Sequence, residues 1–251
     1  MVAIRAAELG KSYGSVEALS GLSLAVDRGE IYGLLGPNGA GKTTTIRILT
    51  GQLRPDAGEA TVLGVDPVAE PVEARHRVGI LPEGGSPPTY LTPREYVEFV
   101  GTVRGLDPEL TAETLEEWAG ILGFRDLLDR LHADLSRGQR QKVMIASAFV
   151  HAPPAVFVDE PLANLDPVIQ EVVKRRLAEY AADGNALLLS THDIDVAEEL
   201  CDRVGIVVDG RLVVECDPAT EADLLETFLE SVSGGGSRHA PTVSCTGPPE
   251  V

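Results

Sequence analysis

The chain has 251 residues, 43% of them hydrophobic and 24% charged, which is enough to bury a core and excludes wholesale disorder or a fibrous repeat. Asp and Glu number 39 against 21 for Lys and Arg, giving a net charge of −18, and a surface this negative repels nucleic acid phosphates. No apolar run approaches a membrane span, no basic-then-apolar leader opens the chain, and Cys201, Cys216 and Cys245 show no metal-binding spacing, so a cytosolic chain without disulfides or zinc is expected.

In chain order, Ile4–Leu9 and Leu22–Val26 read as strands, punctuated by Gly10, Gly14 and Gly29. Ile31–Leu35 is a continuous apolar run, as expected of a strand buried on both faces. A glycine-rich turn follows, then a helix over Lys42–Thr50 stopped at Gly51. Glu59–Leu63 and Val78–Leu81 are further short strands. From Gly84 to Val150 the pattern is helical: Pro93–Val103, Pro108–Leu122 and Gln139–Val150, with proline in the first turn of the first two. Alternation resumes with strand Ala155–Val158, helix Val168–Ala181, strand Ala186–Ser190, helix Ile194–Cys201, strands Val204–Val208 and Leu212–Val214, and helix Glu221–Leu229. Such alternation implies an α/β fold with a mostly parallel sheet, an N-terminal antiparallel portion and an inserted α-helical subdomain near residues 84–150. The folded part is placed at residues 1–230. Ser231–Val251, rich in Gly, Pro and Ser without periodicity, reads as a disordered tail.

Gly36-Pro37-Asn38-Gly39-Ala40-Gly41-Lys42-Thr43 fits G-x-x-x-x-G-K-[ST] after a buried strand and at a helix start, with Thr44 next. Glycines let backbone N–H groups curl around phosphates, Lys42 reaches the β/γ-phosphates and the Thr43 hydroxyl ligates Mg²⁺. The chain is therefore expected to bind a nucleoside triphosphate, ATP, with magnesium. A second apolar strand ends in Asp159-Glu160, which suits Asp159 to the metal and Glu160 to the attacking water. Ser136, in Leu135-Ser136-Arg137-Gly138-Gln139, is a good N-cap for the helix that follows, and that helix end would attract an anion.

These motifs occur in order, followed by Thr191-His192-Asp193, and at this point the sequence resembles the ATP-binding subunit of an ABC transporter from Val2 to about Leu229. The resemblance implies an ATPase that docks on a separate membrane permease. It makes Ser136, Gly138 and Gln139 the signature, with Arg137 replacing a glycine, and Tyr13 the adenine-stacking aromatic. Asn164-Leu165-Asp166 becomes the D-loop, with Asn164 where glycine is usual, and His192 the γ-phosphate sensor. Glu83 stands where the family has glutamine, and its carboxylate could join the metal. Leu81-Pro82-Glu83 and Tyr90–Glu95 look most like the ABC-2-type exporter subfamily. The resemblance further implies a dimer of cassettes, export as the direction of transport and a peripheral place on the cytoplasmic face of the membrane, without nucleic acid. A soluble ABC-type ATPase not linked to transport and a nucleotide-gated scaffold of low turnover are the alternatives.

Overall fold

The computed structural model describes residues 1–160, 162, 164–221, 223–234 and 243–244. Its first elements are β1 (Val2–Tyr13), β2 (Val16–Asp27), β3 (Ile31–Leu35), α1 (Lys42–Leu49), β4 (Ala57–Val62), α2 (Pro71–Arg77) and β5 (Val78–Leu81). Helices α3 (Pro93–Val103), α4 (Pro108–Leu122) and α5 (Arg137–Phe149) then follow, with no strand among them. The chain continues through β6 (Ala155–Asp159), α6 (Pro167–Ala182), β7 (Ala186–Thr191), α7 (Ile194–Leu200), β8 (Arg203–Val208) and β9 (Arg211–Cys216). Last come α8 (Leu224–Gly234) and β10 (Val243–Ser244).

Two sheets result. β1 pairs antiparallel with both β2 and β4, in the order β2-β1-β4. The larger sheet has the order β10-β9-β8-β3-β7-β6-β5; its strands from β8 to β5 are parallel and β9 is antiparallel to β8. Strands β3, β6, β7 and β8 of the larger sheet are buried on both faces, and the alternation of side chains along them assigns residues to one face or the other. Tyr32, Leu34, Ala155, Phe157, Ala186 and Leu188 pack with residues of the antiparallel sheet and α1. Their neighbours Ile31, Leu35, Val156, Val158, Leu187 and Leu189 pack with residues of α3 to α7.

The helical block starts cleanly because its sequence supplies the caps. Thr92 accepts from Glu95 N while Glu95 reaches back to Thr92 N, and Pro93 opens α3 where its missing N–H costs nothing. Asp107 caps α4, and Gly123 closes it in the left-handed region at φ 65°.

The structure departs from the sequence reading in β1 and β2, which run to Val2–Tyr13 and Val16–Asp27 beyond the expected Ile4–Leu9 and Leu22–Val26, and in the helices and C-terminal segment. α2 has no apolar stripe, since Ala74 is its buried residue, and periodicity therefore gives no sign of it. α8 begins at Leu224 and runs past Ser231 to Gly234, so the expected tail begins inside a helix. Val243–Ser244 pair with Val214–Glu215, and the remainder of the expected tail, with Cys245, lies outside the described residues. Cys201 and Cys216 are buried, and no disulfide is formed among the described residues.

Gly79 joins the helical block to the sheet. A Cβ placed there would lie 2.4 Å from the Ala148 carbonyl oxygen, so β5 and α5 meet backbone to backbone. Gly79→Ala should destabilise the chain by about 1–3 kcal/mol through overpacking, read as a lowered urea midpoint at unchanged slope.

Candidate nucleotide site

β3 ends at Leu35, and the chain turns at Gly36 because there is no room for a side chain: a Cβ would lie 2.4 Å from the Val207 carbonyl oxygen. Gly36 N donates to Thr191 O at 3.3 Å, and Gly210 N donates to Ala40 O at 3.0 Å, so the loop is held between β7 and the β8–β9 turn. Gly41 takes φ 108° and caps α1 without a side chain. The first turn of α1 contains no acidic residue, and its positive end faces the loop unopposed. Pro37, Asn38, Gly39 and Thr44 lie at least partly open to solvent, whereas Gly36, Ala40, Gly41 and Lys42 are buried.

The Lys42 ammonium donates to Gly36 O at 2.5 Å and to Pro37 O at 3.2 Å. Burial lowers its pKa from the ordinary lysine value, against the opposing pull of Glu160, Asp159 and Glu83. The Thr43 hydroxyl donates to Asp159 Oδ2 at 2.9 Å, and the Ser190 hydroxyl donates to the other carboxylate oxygen. Two hydroxyls thus satisfy a carboxylate that is only 3% exposed.

Glu160 directly follows β6 and adopts φ 53°, a region that non-glycine residues enter at a cost. Its N–H still donates to Ser190 O at 3.0 Å. Its Oε1 lies 2.6 Å from His192 Nδ1, just past β7, which assigns the ring proton to Nδ1 because a carboxylate only accepts. Ser190, which the sequence showed only as a strand end, is part of this site. Its signal was a hydroxyl closing the Leu187–Leu189 run, opposite Asp159 in the strand register.

The other expected residues occupy separate places. Ser136 caps α5 by accepting from Gln139 N at 3.2 Å, and Gln139 Oε1 accepts from Ser136 N at 2.8 Å. Gly138 lies against the D-loop segment, where a Cβ would be 2.5 Å from Asn164 O. Asn164 has φ 65°, a conformation that asparagine tolerates best after glycine. Asp166 caps α6, accepting from Ile169 N at 3.1 Å. Tyr13, at the end of β1, is 47% exposed. Glu83 lies exposed beyond β5, and no described hydrogen bond or ion pair joins it to Thr43 or Asp159. The structure therefore gathers the glycine loop, Lys42, Thr43, Asp159, Glu160 and His192, and leaves Tyr13, Glu83 and the signature outside that bonded cluster.

The ABC transporter family profile matches residues 19–163. The chain belongs to the ABC transporter family. It is 37% identical over 213 residues, 85% of its length, to the daunorubicin/doxorubicin resistance ATP-binding protein DrrA of Streptomyces peucetius, and spans 64% of that relative. Over 200 residues, 79% of the chain and 81% of the relative, it is 34% identical to the ABC transporter ATP-binding protein NatA of Bacillus subtilis. A solved ATP-binding subunit of an ABC transporter superposes with TM-score 0.83 at 29% identity, covering 92% of this chain and 99% of that one. This ABC cassette thus has the expected α/β fold, and among the described residues no helix is long and apolar enough to cross a membrane.

The capping box is testable by itself. Ser136→Ala removes the acceptor for Gln139 N and should cost about 1 kcal/mol of stability, measured by urea unfolding without nucleotide.

Proposed function

We propose that this cassette binds Mg-ATP at Gly36–Thr44, hydrolyses it, and powers export through a separate integral-membrane permease. The observation that carries the reading is the paired arrangement at the C-terminal ends of the central strands: Thr43 with Asp159, and Glu160 with His192. Magnesium fits the donor set, because a hydroxyl and a carboxylate lie side by side and a hard dication needs few protein oxygens besides phosphate and water. Among the described residues no group of three or more His, Cys, Asp or Glu could hold a metal, which is consistent with a cation shared with the triphosphate. When bound, the ion supplies charge neutralisation at the phosphates.

In this reading Lys42 leaves its two carbonyls for the β/γ-phosphates, and the first turn of α1 receives their negative charge. Glu160 accepts a proton from the attacking water. His192 orients Glu160 through Nδ1 and keeps Nε2 for the γ-phosphate. Tyr13 stacks on adenine. Ser136, Gly138 and Gln139, with Asp166, complete the site of a second cassette in a homodimer, and Glu83 adjusts how the permease stimulates turnover. The cassette works at the cytoplasmic face of the membrane as a peripheral subunit. The net charge of −18 opposes a nucleic acid partner. The names of the relatives, drug resistance and Nod factor export among them, support an exporter of the ABC-2 type.

Glu160→Gln should retain ATP affinity and lose at least about a hundredfold in turnover, followed by phosphate release and nucleotide titration. Lys42→Ala should instead weaken ATP binding by roughly 10–100-fold, because a buried charge-assisted contact is lost. Wild-type turnover in the first variant, or normal affinity in the second, contradicts the reading. Glu83→Gln should change basal hydrolysis by no more than roughly threefold, about 0.65 kcal/mol, while shifting stimulation by the permease reconstituted in vesicles. Complete loss of basal activity would instead make Glu83 part of the catalytic machinery.

A further inference from the structure

On the far side of the cassette's helical block, a cavity of about 370 Å³ opens between α4, the end of α5 and the end of α6. Its wall is aromatic: Trp118 and Phe149 lie with ring centroids 5.1 Å apart, and Tyr180 meets Phe149 edge-on at 5.0 Å. Leu110 and Ile121 extend that apolar wall. The volume falls in the range of small-molecule sites.

Charge at the rim is one-sided. Glu117, Glu179 and Asp183 border the opening, and the one arginine there, Arg176, is already paired with Glu117 at 3.6 Å and Glu179 at 3.0 Å. The helix ends add no cation. α5 and α6 bring their C-termini to the cavity with no basic residue in either last turn; Phe149 O, Glu179 O and Ala181 O accept from the backbone N–H groups that follow, and Tyr180 O from Asn185 Nδ2, so the carbonyls are met by neutral donors and not by a cation. His151 also lines the space with a buried Nδ1 that lacks a hydrogen-bond partner. Burial and the nearby Arg104 hold its pKa down to about 4, so it adds no positive charge at neutral pH. A cation is attracted to the face of an aromatic ring, and here Trp118, Phe149 and Tyr180 stand beside the acidic groups.

We infer that this cavity is a binding site for an amphiphilic organic cation, a quaternary or primary ammonium carried on a small apolar body. The apolar body stacks on Trp118 and Phe149 while the charge faces Glu117 and Asp183. The site is separate from the nucleotide cluster. It touches the far ends of the two helices whose starts are capped by Ser136 and Asp166.

Trp118 is the chain's single tryptophan, so its fluorescence reports this cavity directly. The full chain is titrated with benzyltriethylammonium and, in parallel, with phenylmethanesulfonate, which has a similar body and the opposite charge. A saturable change in Trp118 emission with the cation, and binding at least tenfold weaker with the sulfonate, is expected. Glu117→Gln with Asp183→Asn in one chain should weaken cation binding at least fivefold. Glu17→Gln with Glu59→Gln, which removes two exposed charges from the antiparallel sheet, should leave it unchanged. Should the first pair fail to fold, Thr114→Arg places a positive charge on the rim and must weaken binding in its stead. A response that does not saturate, equal binding of the two ions, or equal weakening by the distant pair overturns the assignment. The last outcome would mean that the acidity of the whole chain, and not this cavity, attracts the cation.

Discussion

Parallel pairing of β6 with β7 and of β7 with β3 places the ends of these strands side by side, and every bonded group at the nucleotide site follows from that register. Asp159 pairs with Ser190, and Leu35 with Thr191. The glycine loop, the Asp159-Glu160 pair and His192 therefore leave the sheet at the same, C-terminal, end of its strands, although they are far apart in sequence. The crossover helices supply no bonded member of this cluster except α1, whose start carries Lys42 and Thr43. Their apolar faces bury the sheet and so hold the register.

The charges at this end of the sheet are held by dipoles and hydroxyls, not by one another. Among the described ion pairs none joins Lys42 to Asp159: the lysine bonds two loop carbonyls and the aspartate two hydroxyls. A direct Lys–Asp pair would be hard to part once buried, because each charge would lose its partner in a region of low dielectric. Neutral partners leave both groups easier to redirect than a buried ion pair would be. Glu160 likewise accepts from a ring N–H, that of His192, at the solvent edge.

Much of this was legible in the sequence because local rules and tertiary demands agree. Ile31–Leu35 has the length and continuous apolar character of a doubly covered strand, and β3 has those bounds. α3 and α4 start at Pro93 and Pro108, where proline is preorganised. α2 escaped because its sequence, PVEARHR, buries little and so carries no period. The long β1–β2 hairpin shows in the sequence only as the fragments Ile4–Leu9 and Leu22–Val26, because its register shifts repeatedly and breaks the alternation. At the site, the glycine loop was legible because its spacing is specific. Ser190 was not, because its role depends on which strand lies beside β6, and strand order is a property of the assembled sheet. The aromatic cavity was also hidden, since Trp118, Phe149 and Tyr180 come from three different helices.

The turn at Glu160 has a consequence for how this cassette can change. Up to Asp159 the chain follows the two-residue period of the sheet; at Glu160 it leaves that period through a left-handed backbone. The site is therefore specified by length as much as by side chains. Exchanging one apolar residue for another in β6 alters packing and leaves the carboxylates where they are. Deleting a single residue from the strand would slide Asp159 out of register with Ser190 and turn it toward the opposite face. Substitutions in these strands are thus a gradual form of variation, and insertions or deletions an abrupt one.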